Sequence, residues 1–105
     1  MNLRERLDQV RAEYVATLPS RADALEAQLA EVRSADEARR AALGEDLHRV
    51  LHNMVGTAGV QGLGAVASAA ERLMTRLVET SPADSTSAAD WPETAELLAL
   101  LRGTP

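Results

Sequence analysis

The chain has 105 residues, enough for one domain around a single modest core, and it has no cysteine and no phenylalanine, which excludes disulfides, thiol chemistry and an aromatic interior. A net charge of -5 with no basic block argues against nucleic acid, and no apolar run is long enough to span a bilayer. Met1-Asn2-Leu3-Arg4-Glu5 does not begin like a signal peptide, so a cytoplasmic protein with no membrane contact is expected.

Alanine and leucine dominate and β-branched runs are absent, which favours helix nearly throughout. The first predicted helix runs from about Leu3 to Thr17, with Leu3, Leu7, Val10 and Tyr14 as its inward stripe. Pro19 disfavours a helical Leu18 and is expected to break the chain, with Ser20 capping a second helix over roughly Arg21 to Arg33 that turns Ala22, Leu25, Leu29 and Val32 inward. Ser34 with Glu37 three residues later reads as a capping box. It opens a third helix, about Ala35 to Val60, striped by Leu43, Leu47, Val50 and Met54, which Gly44 either bends or starts.

Gly62-Leu63-Gly64 forms the next break. A fourth helix over about Leu63 to Thr80 sets Leu63, Val66, Ala67, Ala70, Leu73, Met74 and Leu77 against Glu71, Arg72, Thr75, Arg76 and Glu79 on its other side. Ser81 to Asp90 is polar, carries Pro82 and reads as a flexible loop. A last helix, about Trp91 to Arg102, has Pro92 in its first turn and Gly103 at its end, and presents Trp91, Ala95, Leu98 and Leu101. The predicted fold is all-α, an up-and-down four-helix bundle with an additional packed helix, in one domain over residues 1–105.

His52 stands out. On a helical wheel it falls roughly opposite the buried stripe of its helix, and Gly56 and Gly59 fall within about 40° of it. Each glycine inside a helix costs roughly 1 kcal/mol relative to alanine, so two of them beside one exposed imidazole imply that something must come close to that ring.

Several chemistries fail for want of parts. His48 and His52 lie four apart on one helix, so both can face a metal, but no glutamate follows His48 in the HExxH manner and the chain has no third histidine; no metal site is expected. A Ser-His-Asp arrangement lacks an aimed hydroxyl and an oxyanion hole. No GxxxxGK[ST] loop is present to bind ATP. One form remains, an imidazole acting as a covalent phosphate carrier. Neutral imidazole is a good nucleophile toward an activated phosphoryl group, and histidine, titrating ordinarily near about 6.5, is largely neutral at cellular pH.

His52-Asn53-Met54-Val55-Gly56-Thr57-Ala58, followed by Gly62-Leu63, resembles the histidine phosphotransfer (HPt) domain, whose motif runs roughly His-x-Leu-Lys-Gly-Ser-Ala with a further glycine ten residues after the histidine. Gly56, Thr57, Ala58 and Gly62 match, Met54 replaces the leucine, and Leu63-Gly64-Ala65-Val66 with Ala69-Ala70-Glu71-Arg72-Leu73 looks like the family's next helix. The likeness is strongest over about residues 43 to 77. It implies a helical bundle with His52 as exposed phosphoacceptor, exchanging phosphate with the aspartate of a response-regulator receiver domain or working with a hybrid histidine kinase. It also implies that the receiver supplies the acidic residues and Mg²⁺ while this chain binds no cofactor and does not act as an enzyme by itself.

The family's lysine three residues after the histidine is Val55 here, and Arg49, three residues before His52 on the same face, is the replacement cation expected to steady the phosphate. His48, Val55, Gly56 and Gly59 are expected to line the partner-docking surface of a monomer. Val55 also motivates a rival reading, a bundle that docks a receiver or kinase and modulates it without carrying phosphate. Met1 and the ending Thr104-Pro105 favour a free-standing protein over a piece of a larger kinase.

Overall fold

The computed structural model describes residues 2–103; Met1, Thr104 and Pro105, on which the free-standing reading leaned, lie outside the described residues. The helices are α1 Leu3–Ser34, α2 Glu37–Val60, α3 Gly64–Glu79 and α4 Pro92–Leu101, with a 3₁₀ segment at Asp84–Asp90 and no strand among the described residues. α1 lies along α2, α2 along α3, α3 along α4, and α4 returns to α1, which closes a ring of four helices around one core. The all-α bundle expected from the sequence is the fold, but the two helices expected before residue 34 are one, and the additional helical piece is instead the 3₁₀ segment, in the stretch expected as a loop, packed on α1 and α4.

Pro19 does not break the chain. α1 is one helix of 32 residues with Pro19 inside it. A proline in a helix interior costs about 3 kcal/mol, because a donor is lost and the ring crowds the carbonyl four residues back. Here Val15 and Pro19 are both exposed, so the carbonyl left without a donor lies on the solvated side. Meanwhile Tyr14, Leu18, Ala22, Leu25, Leu29 and Val32 form one buried stripe that crosses the proline without interruption. Burial of each large apolar side chain stabilises by roughly 1.5–3 kcal/mol, and the stripe outweighs the local penalty. Ser20 therefore caps nothing; its hydroxyl donates back to the Thr17 carbonyl at 2.9 Å.

The predicted stripe at the start of α1 lies outside the core. Leu3, Leu7 and Val10 are 73%, 58% and 41% exposed. The reason is length: at 1.5 Å per residue α1 is about 48 Å long and α2 about 36 Å, so α1 outruns its hairpin partner. The Arg11 guanidinium lies beside Gly62 in the α2–α3 turn, and the residues before it run past the end of the bundle.

Four smaller corrections are local. Asp36, not Ser34, caps α2, accepting from the Arg39 backbone N–H at 2.8 Å. Leu51 joins Leu43, Leu47, Met54 and Ala58 in the core, and Val50 sits half-buried at the edge of that stripe. In α4 the buried set is Thr94, Leu97 and Leu101, with Ala95 exposed. The stretch expected as a flexible loop is ordered by its own hydroxyls: Ser85, Thr86 and Ser87 each donate to the carbonyl three residues back, and Ala88 is buried.

Candidate functional site

α2 positions the site. Leu51 and Met54 are buried beneath it, and the intervening rotation of the helix turns His52 to the solvent side, where the structure shows it exposed. Two surface depressions meet at the ring. Toward the start of α2, a groove of about 710 Å³ opens between α2 and the far end of α3, walled by His48, Arg49 and His52 on one side and by Leu77, Val78 and Pro82 on the other. Toward the end of α2, a shallower hollow of about 410 Å³ is lined by His52, Asn53, Gly56, Thr57 and Val60.

The glycines beside His52 are bare on the outside. A Cβ placed on Gly56 or Gly59 meets nothing within 4 Å, so no internal packing requires glycine at either position. Gly62 is different: its φ of +74° lies in the left-handed region. Its N–H bonds the Gly59 carbonyl at 3.1 Å while the Leu63 N–H bonds the Ala58 carbonyl at 2.8 Å, the paired arrangement that closes a helix end. Gly62 therefore serves the turn that sends α3 back along α2, and Gly56 serves the surface.

The other sequence-derived residues divide. His48 and Arg49 share the groove wall with His52. The His48 and His52 rings are nearly parallel, 8° apart in plane, with centroids separated by 6.3 Å. The Arg49 guanidinium is held 3.2 Å from the Asp46 carboxylate in an exposed ion pair. Val55 is half-buried and packs against the core, so it contributes little apolar surface near His52. The exposed apolar side chains of this region are Val60 at 86% and Val78 at 67%, which the sequence reading did not single out. Val60 was within reach of the helical wheel, eight residues after His52; Val78 was not, because its place beside the groove depends on how α3 packs against α2.

Away from the site, Arg76 clamps α3 to α4. It donates to both carboxylate oxygens of Glu93, at 2.7 and 3.1 Å, and lies 4.3 Å over the Trp91 ring. The Glu93 carboxyl is held below its ordinary range, first by a hydrogen bond from its own backbone N–H; desolvation opposes this, and the Arg76 hydrogen bond and the charges of Arg76 and Arg72 reinforce it.

Among the described residues no group of three or more His, Cys, Asp or Glu side chains is placed to hold a metal ion, and no helix is long and apolar enough to cross a membrane. The four helices close into a bundle in which α2 holds His52 exposed beside the uncovered backbone of Gly56 and Gly59. The chain belongs to the Hpt domain family: the family model described as Hpt domain matches residues 9–103, nearly the whole chain. No curated protein and no solved structure matches it significantly. Membership of that family supports a phosphotransfer role in two-component systems.

Proposed function

We propose that His52 is the phosphoacceptor of this domain and that the chain, as a monomer, exchanges a phosphoryl group with the aspartate of a response-regulator receiver domain, alone or in a relay with a hybrid histidine kinase. The observation that supports it is the exposed His52 ring beside the uncovered Gly56 backbone, in the register of the family motif. A ring nitrogen lone pair attacks the phosphorus of the receiver's aspartyl phosphate. The N–P bond forms as the P–O bond to the carboxylate breaks, the aspartate leaves as carboxylate, and the proton on the other ring nitrogen passes to solvent. This chain supplies the nucleophile and its approach; the receiver supplies the acidic residues and Mg²⁺, so proximity and the partner's electrostatics carry the catalysis. Gly56 and Gly59 leave room for the receiver's active site, with Val60 and Val78 as apolar contacts near His52, His48 beside the His52 ring and Val55 nearer the margin. Arg49, on the groove wall with His52, supplies the cation that the family's lysine gives three residues after the histidine.

Val55 at that lysine position favours one rival, a docking module that carries no phosphate. Incubation with a labelled receiver phosphate separates the two. Acid-labile label that moves to the wild-type chain and not to His52→Gln supports the carrier; a tight complex without label supports the rival and overturns the carrier.

A further inference from the structure

The near-parallel His48 and His52 rings are the only close aromatic pair among the described residues, and they stand on the wall of one groove. Their centroids are 6.3 Å apart. That spacing keeps the ring nitrogens beyond direct hydrogen-bond distance, about 3 Å; a phosphoryl group on His52 lies in the plane of its ring, and rotation of the exposed His48 ring about its side-chain bonds brings an N–H to one of the phosphoryl oxygens. Two arginines line the same groove. Arg49 is paired with Asp46, and Arg40 donates to the Ala35 carbonyl at the far end of the groove. The remaining titratable side chain of the groove is Glu45, on α2; Leu77, Val78, Thr80, Pro82 and Ser85, which form the opposite wall, do not titrate in the physiological range. His48 makes no hydrogen bond or ion pair among the described residues and stands beside the acceptor ring, so it can act there together with Arg49.

We propose that His48 is a positioning residue for the phosphorylated state: its imidazole N–H, one helical turn away on the same groove wall, donates to a phosphoryl oxygen on His52. This rests on the reading of His52 as phosphoacceptor. A phosphoryl dianion beside His48 favours the protonated, doubly donating form of that imidazole, and the resulting charge-assisted hydrogen bond fixes the phosphoryl group. The same positive charge disfavours protonation of the phosphorylated ring, and a ring that stays unprotonated is the poorer leaving group when water attacks phosphorus. His48 therefore lengthens the life of the phosphohistidine without forming or breaking any bond itself.

The test uses the full chain phosphorylated with phosphoramidate, a small donor that needs no receiver. First-order loss of phosphate is followed for wild type, His48→Phe and His48→Lys, and ¹H–¹⁵N spectra follow the His48 ring. Loss is expected to be faster in His48→Phe, on the order of tenfold, the effect of removing one exposed charge-assisted hydrogen bond. His48→Lys restores the wild-type lifetime, and the His48 signals of the wild type move to imidazolium positions on phosphorylation. A stable phosphohistidine at His52 with the same lifetime in wild type and His48→Phe overturns the role of His48 and leaves His52 as acceptor. A wild-type chain that takes no phosphate at His52 overturns the acceptor reading and this proposal together.

Discussion

At Gly56 a helix accepts an unfavourable residue for no reason internal to the bundle. A Cβ there meets empty space, so Gly56→Ala is expected to stabilise the fold by about 0.5–1 kcal/mol, read as a higher denaturant midpoint at unchanged slope. Gly56→Leu is expected to fold equally well and yet slow transfer from a receiver by about a hundredfold or more, the scale set by misplacing reacting groups. Normal transfer by that variant removes the argument for a clearing. Arg49→Ala is expected to slow transfer or shorten the phosphohistidine lifetime; if both are unchanged, Arg49 does not supply the missing cation. His52, Gly56, Thr57 and Ala58 were legible because they lie on one helix, where spacing alone fixes who neighbours whom. The Asp46 carboxylate beside Arg49 was equally local but went unread, since an exposed ion pair leaves no mark in an apolar pattern. Val78 beside the groove was not legible, since two helices must pack before it stands there.

Pro19 shows an element rule losing to packing. Local preference ends a helix before a proline, while the apolar stripe from Tyr14 to Val32 continues through it, and the stripe prevails because it is buried along its whole length. Pro19→Ala is expected to raise stability by about 1–3 kcal/mol by restoring a donor to the Val15 carbonyl. Loss of stability in that variant means that the proline is required for the path of α1. The 3₁₀ segment erred in the other direction: a polar, hydroxyl-rich stretch reads as a loop, and its serines and threonine satisfy the carbonyls that order it. The α3–α4 clamp makes a pH prediction. The folded-state pKa of Glu93 is depressed below its ordinary 4.5, so its contribution is complete above that value and disappears as the pH falls through the lower folded one. Glu93→Gln is expected to melt below wild type at neutral pH, with the gap closing on acidification below about 4.5. A gap that persists unchanged at the lowest pH contradicts the ionised clamp.

Across the whole molecule the extents are 51 × 26 × 21 Å, and the long axis is set by α1. The inward stripe of α1 was read correctly where α2, α4 and the 3₁₀ segment cover it and wrongly at Leu3, Leu7 and Val10, where nothing does. Periodicity identifies an apolar face but not how far its neighbours extend, and relative helix length is a property of the assembled bundle. α1 and α3 pack on α2 and α4 closes the ring between them, which leaves the His52 face of α2 exposed. The most direct measurement of the account is the position of the phosphate after the chain meets a phosphorylated receiver, read by tandem mass spectrometry under alkaline conditions that preserve phosphohistidine. A single modified residue, His52, is expected. Phosphate found on His48 instead, or on no residue while the receiver remains bound, contradicts it.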